Sequence, residues 1–336
     1  MTSQASPALF FDTIGAYQRT DALRAALELD LFSQIAAGHT TASAIANACR
    51  ASTRGIRILA DYLTICGFIQ KQGDRYELTA DSKIFLDRQS PAYLGGAVGF
   101  MLAPGLKECF RQLTEAVRQG GTAVSEEGTV SPENPLWVEF AHAMAPLMYM
   151  PAQLLAGLVG GDAEQPLRVL DVAAGHGLFG ITIAQRYPKT HVTALDWASV
   201  LAVAQENARR SGVGERYALL PGSAFEVAWG GPYDLVLLTN FFHHFDVPTC
   251  EQLARKAFAA LKSGGRALTL EFIPEPDRVT PPATAGFALV MLATTAHGDA
   301  YTFAEYQDIF SKAGFRRNEF LALPPTNQQA VISYKG

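Results

Sequence analysis

The segment Val169–Pro188, VLDVAAGHGLFGITIAQRYP, decides the fold. It opens on a buried-looking apolar run, ends that run at Asp171, turns through Gly175 and Gly177, and continues with helical spacing. A strand that feeds a glycine turn and then a helix lets a ligand approach backbone amides closely. The helix N-terminus at that point favours negative charge. A nucleotide-like molecule carrying a carboxylate suits such a turn.

Downstream, strands and helices alternate from Gly161 to the end, as in a parallel α/β sheet. Strands are expected at Leu167–Val172, His191–Leu195, Tyr217–Leu220, Tyr233–Thr239 and Arg266–Glu271. The T-x-x-E sequence Thr302–Glu305 is a capping box that opens a helix to about Ala313, where Gly314 ends it. Phe315–Leu323 and Ala330–Tyr334, parted by Pro324 and Pro325, supply an antiparallel hairpin, which completes a seven-stranded Rossmann-like domain over 161–336.

Upstream, apolar residues recur at helical spacing from Phe10 to about Ile65, with Thr40 or Thr41 and Ser52 as caps and Gly67 as a stop. Phe68–Thr79, turning at Gly73 and Asp74, reads as a β-hairpin. Residues 1–90 therefore have a winged-helix outline. DNA binding is disfavoured because residues 1–100 hold nine basic and nine acidic side chains. The helix in the recognition position carries only Arg54 and Arg57, offset by Asp61. The extensive apolar helices point instead to a dimerisation surface and a homodimer. Residues 91–160 read as a helical linker broken by a loop at Gly120–Pro135. Phe140, Met144 and Met148 beyond that loop are adaptable side chains suited to an apolar substrate pocket.

Composition agrees with a small-molecule partner. The 336 residues are 49% hydrophobic and 18% charged with a net charge of -5, which gives no electrostatic footprint for nucleic acid or an anionic membrane. Cys49, Cys66, Cys109 and Cys250 are scattered, so neither a disulfide framework nor a zinc site is implied. The N-terminus lacks a secretory pattern and no apolar run reaches a membrane span, so a cytoplasmic location is expected.

Gly175, Gly177 and Gly180 also satisfy GxGxxG with Asp196 ending the next strand, which admits a dinucleotide. Two features favour S-adenosylmethionine. Asp171 at the strand end would repel a pyrophosphate and attract a methionine ammonium, and the chain supplies no second substrate domain. Asp196 can accept from both ribose hydroxyls, and Trp197 offers a flat face for adenine.

The chain resembles the plant-type small-molecule O-methyltransferases and their bacterial relatives, the family that includes acetylserotonin and caffeic acid O-methyltransferases. The resemblance rests on ALELDLFSQI, LADYLTICGFI, LDVAAGHG, NFFHHFD and GDAYTFAEYQDIFSKAGF and runs from Phe10 to the C-terminus. It implies a class I methyltransferase domain behind a winged-helix dimerisation domain, with S-adenosylhomocysteine as product. It also places the family's catalytic histidine on His243, with His244 in reserve, and the glutamate that orients it on Glu271. A neutral phenol attacks a sulfonium methyl poorly, so a histidine base is what such a reaction needs. Ser223, Ala224 and Phe225 stand in the family's G-D-M-F loop, and Asn240 joins them as an expected cofactor contact. Pro281–Thr295, with Phe287 and Met291, is expected as a helix over a small aromatic or polyketide-like acceptor.

Three departures bear on the chemistry. Ala173 and Ala174 replace glycines of the turn, Ser223 replaces an acid, and Ala300 replaces a second supporting glutamate, with Asp299 adjacent. They leave open C- or N-methylation, or positioning of an already acidic substrate; the winged-helix outline and the GxGxxG spacing separately leave open a non-catalytic ligand-binding regulator and an NAD-dependent oxidoreductase. No strand-end carboxylate cluster suggests a metal.

Overall fold

The computed structural model describes residues 5–126, 128–131 and 133–336, and residues 127 and 132 of the predicted loop lie outside them. The chain divides into two compact units, 1–98 and 99–336.

In the first unit, helices Ala8–Glu28, Leu31–Ala36, Ala42–Cys49 and Thr53–Ile65 precede a hairpin of β1 (Ile69–Gln72) and β2 (Arg75–Leu78). Thr41 and Ser52 cap the third and fourth helices by accepting from Ala44 N and Gly55 N. Phe32, Ile45, Ile56, Leu63, Ile69 and Tyr76 form the core. Burying each large apolar side chain contributes about 1.5–3 kcal/mol before entropy is counted. Arg57 in the recognition position pairs with Asp61 at 3.0 Å, and Asp61 also accepts from Tyr76 and Lys71. The Arg57 charge of that helix is answered within the unit.

In the second unit, β3 (Arg168–Val172), β4 (His191–Asp196), β5 (Tyr217–Pro221), β6 (Tyr233–Thr239), β7 (Leu261–Glu271), β8 (Arg317–Ala322) and β9 (Gln329–Tyr334) form one sheet ordered β5-β4-β3-β6-β7-β9-β8. The β3–β7 pairings are parallel, and β8 and β9 close the edge antiparallel. Alternate residues enter opposite cores: Val169, Leu235 and Leu237 on one face, Leu170, Val236 and Leu238 on the other. The strand order reverses between β3 and β6, and the crevice at the carboxyl ends there is where such sheets hold ligands.

Two elements differ from expectation. β7 starts at Leu261 because residues 261–265 extend the pairing toward Tyr233 through a register irregularity. Pro281–Thr295 forms two short helices, Pro282–Ala285 and Phe287–Thr294, that meet at Gly286, where the missing side chain weakens helix propensity.

Candidate active site

Asp171, the penultimate residue of β3, is fully buried. Its Oδ2 accepts from Gly180 N at 3.1 Å, while Oδ1 has no partner. Burial pushes this carboxyl up to about 8, the Gly180 N–H opposes the shift, and the Asp196 charge adds to it. Gly177 begins helix Leu178–Arg186 at φ 76°, and a Cβ there would meet Tyr217 Oη at 2.6 Å and Ala204 Cβ at 3.0 Å. Only glycine fits that position. Ala173 also adopts positive φ, 54°, so the turn keeps a left-handed conformation after losing a glycine.

Asp196 ends β4 with both carboxylate oxygens on main chain: Gly175 N donates to Oδ2 at 2.8 Å and Trp197 N to Oδ1 at 2.7 Å. Burial raises it to about 6 against those two amides. The glycine turn and the β4 end are thereby tied into one piece. Trp197 packs with Ala141, Val200, Val203 and Trp137. Beyond β5, Ser223 Oγ accepts from Phe225 N at 3.2 Å, and the Ala224 carbonyl accepts from Trp229 Nε1. Phe225 is 44% exposed and meets the Phe245 ring edge-on.

On the other side of the crevice, Phe242–His244 form a single 3-10 turn after β6. Glu271 at the end of β7 is fully buried. Its Oε1 accepts from Phe241 N at 2.8 Å and Phe242 N at 2.9 Å, and its Oε2 lies 2.5 Å from His243 Nδ1. One carboxylate thus fixes both the turn and the ring. With Nδ1–H donated to it, the open lone pair of the neutral imidazole falls on Nε2. The Phe287 ring stands edge-on to His243 at 4.9 Å and stacks on Phe272 at 4.0 Å. His244 lies 4.2 Å from His243 between ring centroids. Burial, then the neighbouring His243, hold it well below the usual histidine range.

The remaining predicted residues spread around this crevice. Phe140 stacks on His176, and a Cβ on Gly175 would lie 3.9 Å from it, so its ring covers the glycine turn. Met148 Sδ accepts from Asn240 Nδ2 at 3.6 Å. Asn240, at φ 52°, also accepts from Gln328 Nε2. Met144 is half-buried and Met291 buried. His176 is buried and held down to about 4 by burial, with Nδ1 accepting from Leu178 N. Asp299 turns to Arg278 and to Ala300 N.

Trp137, Phe272, Gln328 and Lys256 escaped the sequence reading. Trp137 and Phe140 share a helix face three residues apart, a signal that was available; Gln328 gives none. A separate cavity of about 230 Å³, lined by Arg168, His191, Glu215 and Arg216, opens at the opposite, amino-terminal ends of the strands. Among the described residues no group of three or more His, Cys, Asp or Glu side chains could hold a metal ion.

The donor set suits a sulfonium nucleoside amino acid: an orphaned buried carboxylate oxygen at the β3 end, a glycine turn roomy at Gly175, and an acid ending β4. A sheet of this order with that site defines a Rossmann-like methyltransferase. Family models agree, with the O-methyltransferase domain matching residues 158–316 and the O-methyltransferase dimerisation domain matching residues 11–88. The crystal structure of a candidate O-methyltransferase from Nostoc punctiforme is 55% identical with a TM-score of 0.95, over 99% of this chain and 100% of that one. The 3-hydroxy-5-methyl-1-naphthoate 3-O-methyltransferase of Streptomyces sahachiroi is 29% identical over 92% of this chain and 89% of that protein. Human N-acetylserotonin methyltransferase, solved with S-adenosylmethionine, shares the fold at 24% identity and a TM-score of 0.85, with complete coverage of both chains.

The chain belongs to the O-methyltransferase family. It is an S-adenosylmethionine-dependent O-methyltransferase, and no helix among its described residues is long and apolar enough to cross a membrane.

Proposed function

We propose that the chain methylates a hydroxyl of a small aromatic or polyketide-like metabolite, with His243 as general base and Glu271 orienting it. The observation that carries this reading is the buried His243–Glu271 pair at 2.5 Å, with the carboxylate pinned by two backbone amides. His243 Nε2 takes the hydroxyl proton as the oxygen becomes a nucleophile, and Glu271 stabilises the imidazolium that forms. The cofactor, when bound, supplies a methyl group made electrophilic by the adjoining sulfonium. Asp171 would hold its ammonium, the turn at Gly175 and Gly177 would line its amino acid portion, and Asp196 and Trp197 would take the ribose and adenine. Ser223, Ala224, Phe225 and Asn240 border it. Phe287, Met291, Met144, Met148 and Phe140, from residues 99–160 and from the paired short helices, close the acceptor space and keep water from the reacting oxygen.

The test is transfer of labelled methyl from S-adenosylmethionine to a panel of hydroxynaphthoates, hydroxyquinones and N-acetylserotonin. Turnover of at least one hydroxylated aromatic is expected. Protein that binds S-adenosylhomocysteine yet methylates none of them overturns the acceptor class.

A cytoplasmic homodimer through the first unit completes the proposal. Helix Ala8–Glu28 exposes Leu9, Phe10, Phe11, Ile14 and Tyr17, each at least 62% accessible, and a second copy is the natural cover for such a patch. Equilibrium sedimentation is expected to give twice the chain mass, and a strictly monomeric result ends this part.

A further inference from the structure

Lys256 lies on helix Val247–Ala260 and plays no part in the chemistry above. Its ammonium donates to three main-chain carbonyls of a single loop: Ala224 at 2.6 Å, Phe225 at 2.8 Å and Val227 at 3.1 Å. No carboxylate is among these partners. The ammonium also stands 5.4 Å from the centroid of the Trp229 ring, whose Nε1 donates to the same Ala224 carbonyl. Burial lowers this lysine from its usual range, as a half-buried cation met only by neutral dipoles requires.

The loop so gathered runs from Gly222 to Trp229. Its first residue is bound to the β4 end, since Gly222 N donates to the Asp196 carbonyl at 2.9 Å. Converging three carbonyls of one loop on one point leaves them mutually repulsive unless a cation sits among them. Phe225 is 44% exposed despite that gathering, so its ring is held at the surface of the loop and not collapsed into the core.

We propose that Lys256 is a positioning residue for the cofactor: by clamping the carbonyls of 224, 225 and 227 it sets the loop that borders the nucleoside half. This rests on the placement of the nucleoside at the β4 and β5 ends. Lys256 acts through the loop and touches neither cofactor nor acceptor. Its removal loosens the nucleoside half and leaves the amino acid half alone.

Calorimetry with two probes separates the halves: S-adenosylhomocysteine, which has both, and 5′-methylthioadenosine, which has only the nucleoside. Lys256→Met is expected to raise Kd for both probes by a similar factor of about tenfold. Lys256→Arg, which keeps a cation, is expected to recover most of that loss. A Kd within twofold of the parent for both probes overturns the proposal, as does a loss seen with S-adenosylhomocysteine alone. If the methionine variant does not fold, Lys256→Gln, which keeps a neutral amide with two N–H donors, carries the test, with a smaller parallel loss expected and the same outcomes overturning it. Asp196→Ala guards the underlying placement. It should abolish methylthioadenosine binding, and unchanged binding would move the nucleoside elsewhere whatever Lys256 does.

Discussion

The two sides of the crevice are built by different means. At the ends of β3 and β4 the main chain does the building: Gly175 and Trp197 amides hold Asp196, the Gly180 amide holds Asp171, and all these residues lie within 171–197. At the ends of β6 and β7 side chains from distant segments do it. Glu271 reaches His243, Phe287 faces the ring, Trp137 stands edge-on to His244, and Gln328 and Met148 meet at Asn240. A site made of backbone tolerates changes of side chain and binds one conserved molecule. A site made of side chains varies with each of them, which suits a side that must meet different acceptors in different members of one family.

That contrast is broken most sharply at His243. His243→Ala is expected to cut turnover of the best panel acceptor by about 10²- to 10⁴-fold while the Kd for S-adenosylhomocysteine stays unchanged. A parallel loss of cofactor affinity would show the two sides to be one unit. Glu271→Gln probes the same side more finely. Its Oε1 can still accept from Phe241 N and Phe242 N, but the amide now donates toward His243 Nδ1 and drives the proton to Nε2. Turnover is expected to fall on the order of 10²-fold with little change in thermal midpoint, because the base now carries its proton on the wrong nitrogen. Wild-type turnover in that variant would remove the orienting role.

The same contrast explains what could be read in the sequence. The seven strands, the glycine turn, Asp171 and Asp196 were legible because each is written in a short segment whose spacing has a local physical meaning. The capping box at Thr302 was legible for the same reason, and both its hydrogen bonds are formed. The partners of Asn240 were not legible, since Met148 and Gln328 are remote in sequence and meet only when the sheet closes. Phe140 was expected among pocket residues, and no periodicity could have told that its ring would lie on His176 above the turn. The Lys256 clamp was invisible because backbone carbonyls have no letter in the sequence.

Buried charge offers a smaller test on the cofactor side. Burial raises Asp171 to about 8 and Asp196 to about 6, so the folded protein keeps protons that the unfolded chain releases above about pH 4. Through these two carboxyls the folded state binds more protons than the unfolded one from about pH 4 to about 8. Over the acid part of that range His176 and His244, held by burial below the usual histidine range, act in the opposite sense, so the net fall in stability is expected from about pH 6 to about 8, where Asp171 still holds its extra proton. Tyr217, also buried here and held above its usual range, stays neutral throughout that window. Asp171→Asn is expected to flatten the part of the slope between about pH 6 and 8, followed by urea midpoints at pH 5, 7 and 8.5. An unaltered slope would mean that this carboxyl holds no extra proton.

The smallest effect is expected inside the turn, where two of the three positive-φ positions differ in kind. Gly177 is excluded from bearing a side chain by Tyr217 Oη and Ala204, whereas Ala173 bears one at φ 54° and packs it against the core beneath. Ala173→Gly relieves about 1–2 kcal/mol of left-handed strain. It also forfeits up to about 0.8 kcal/mol of methyl burial and frees the unfolded chain by about 0.4–1 kcal/mol. These terms nearly cancel, so the stability of this variant should stay within about 1 kcal/mol of the parent by chemical denaturation, with cofactor affinity unchanged. A change beyond about 2 kcal/mol in either direction would show that the turn depends on the residue and not on the backbone shape, and the main-chain account of the cofactor side would fail with it.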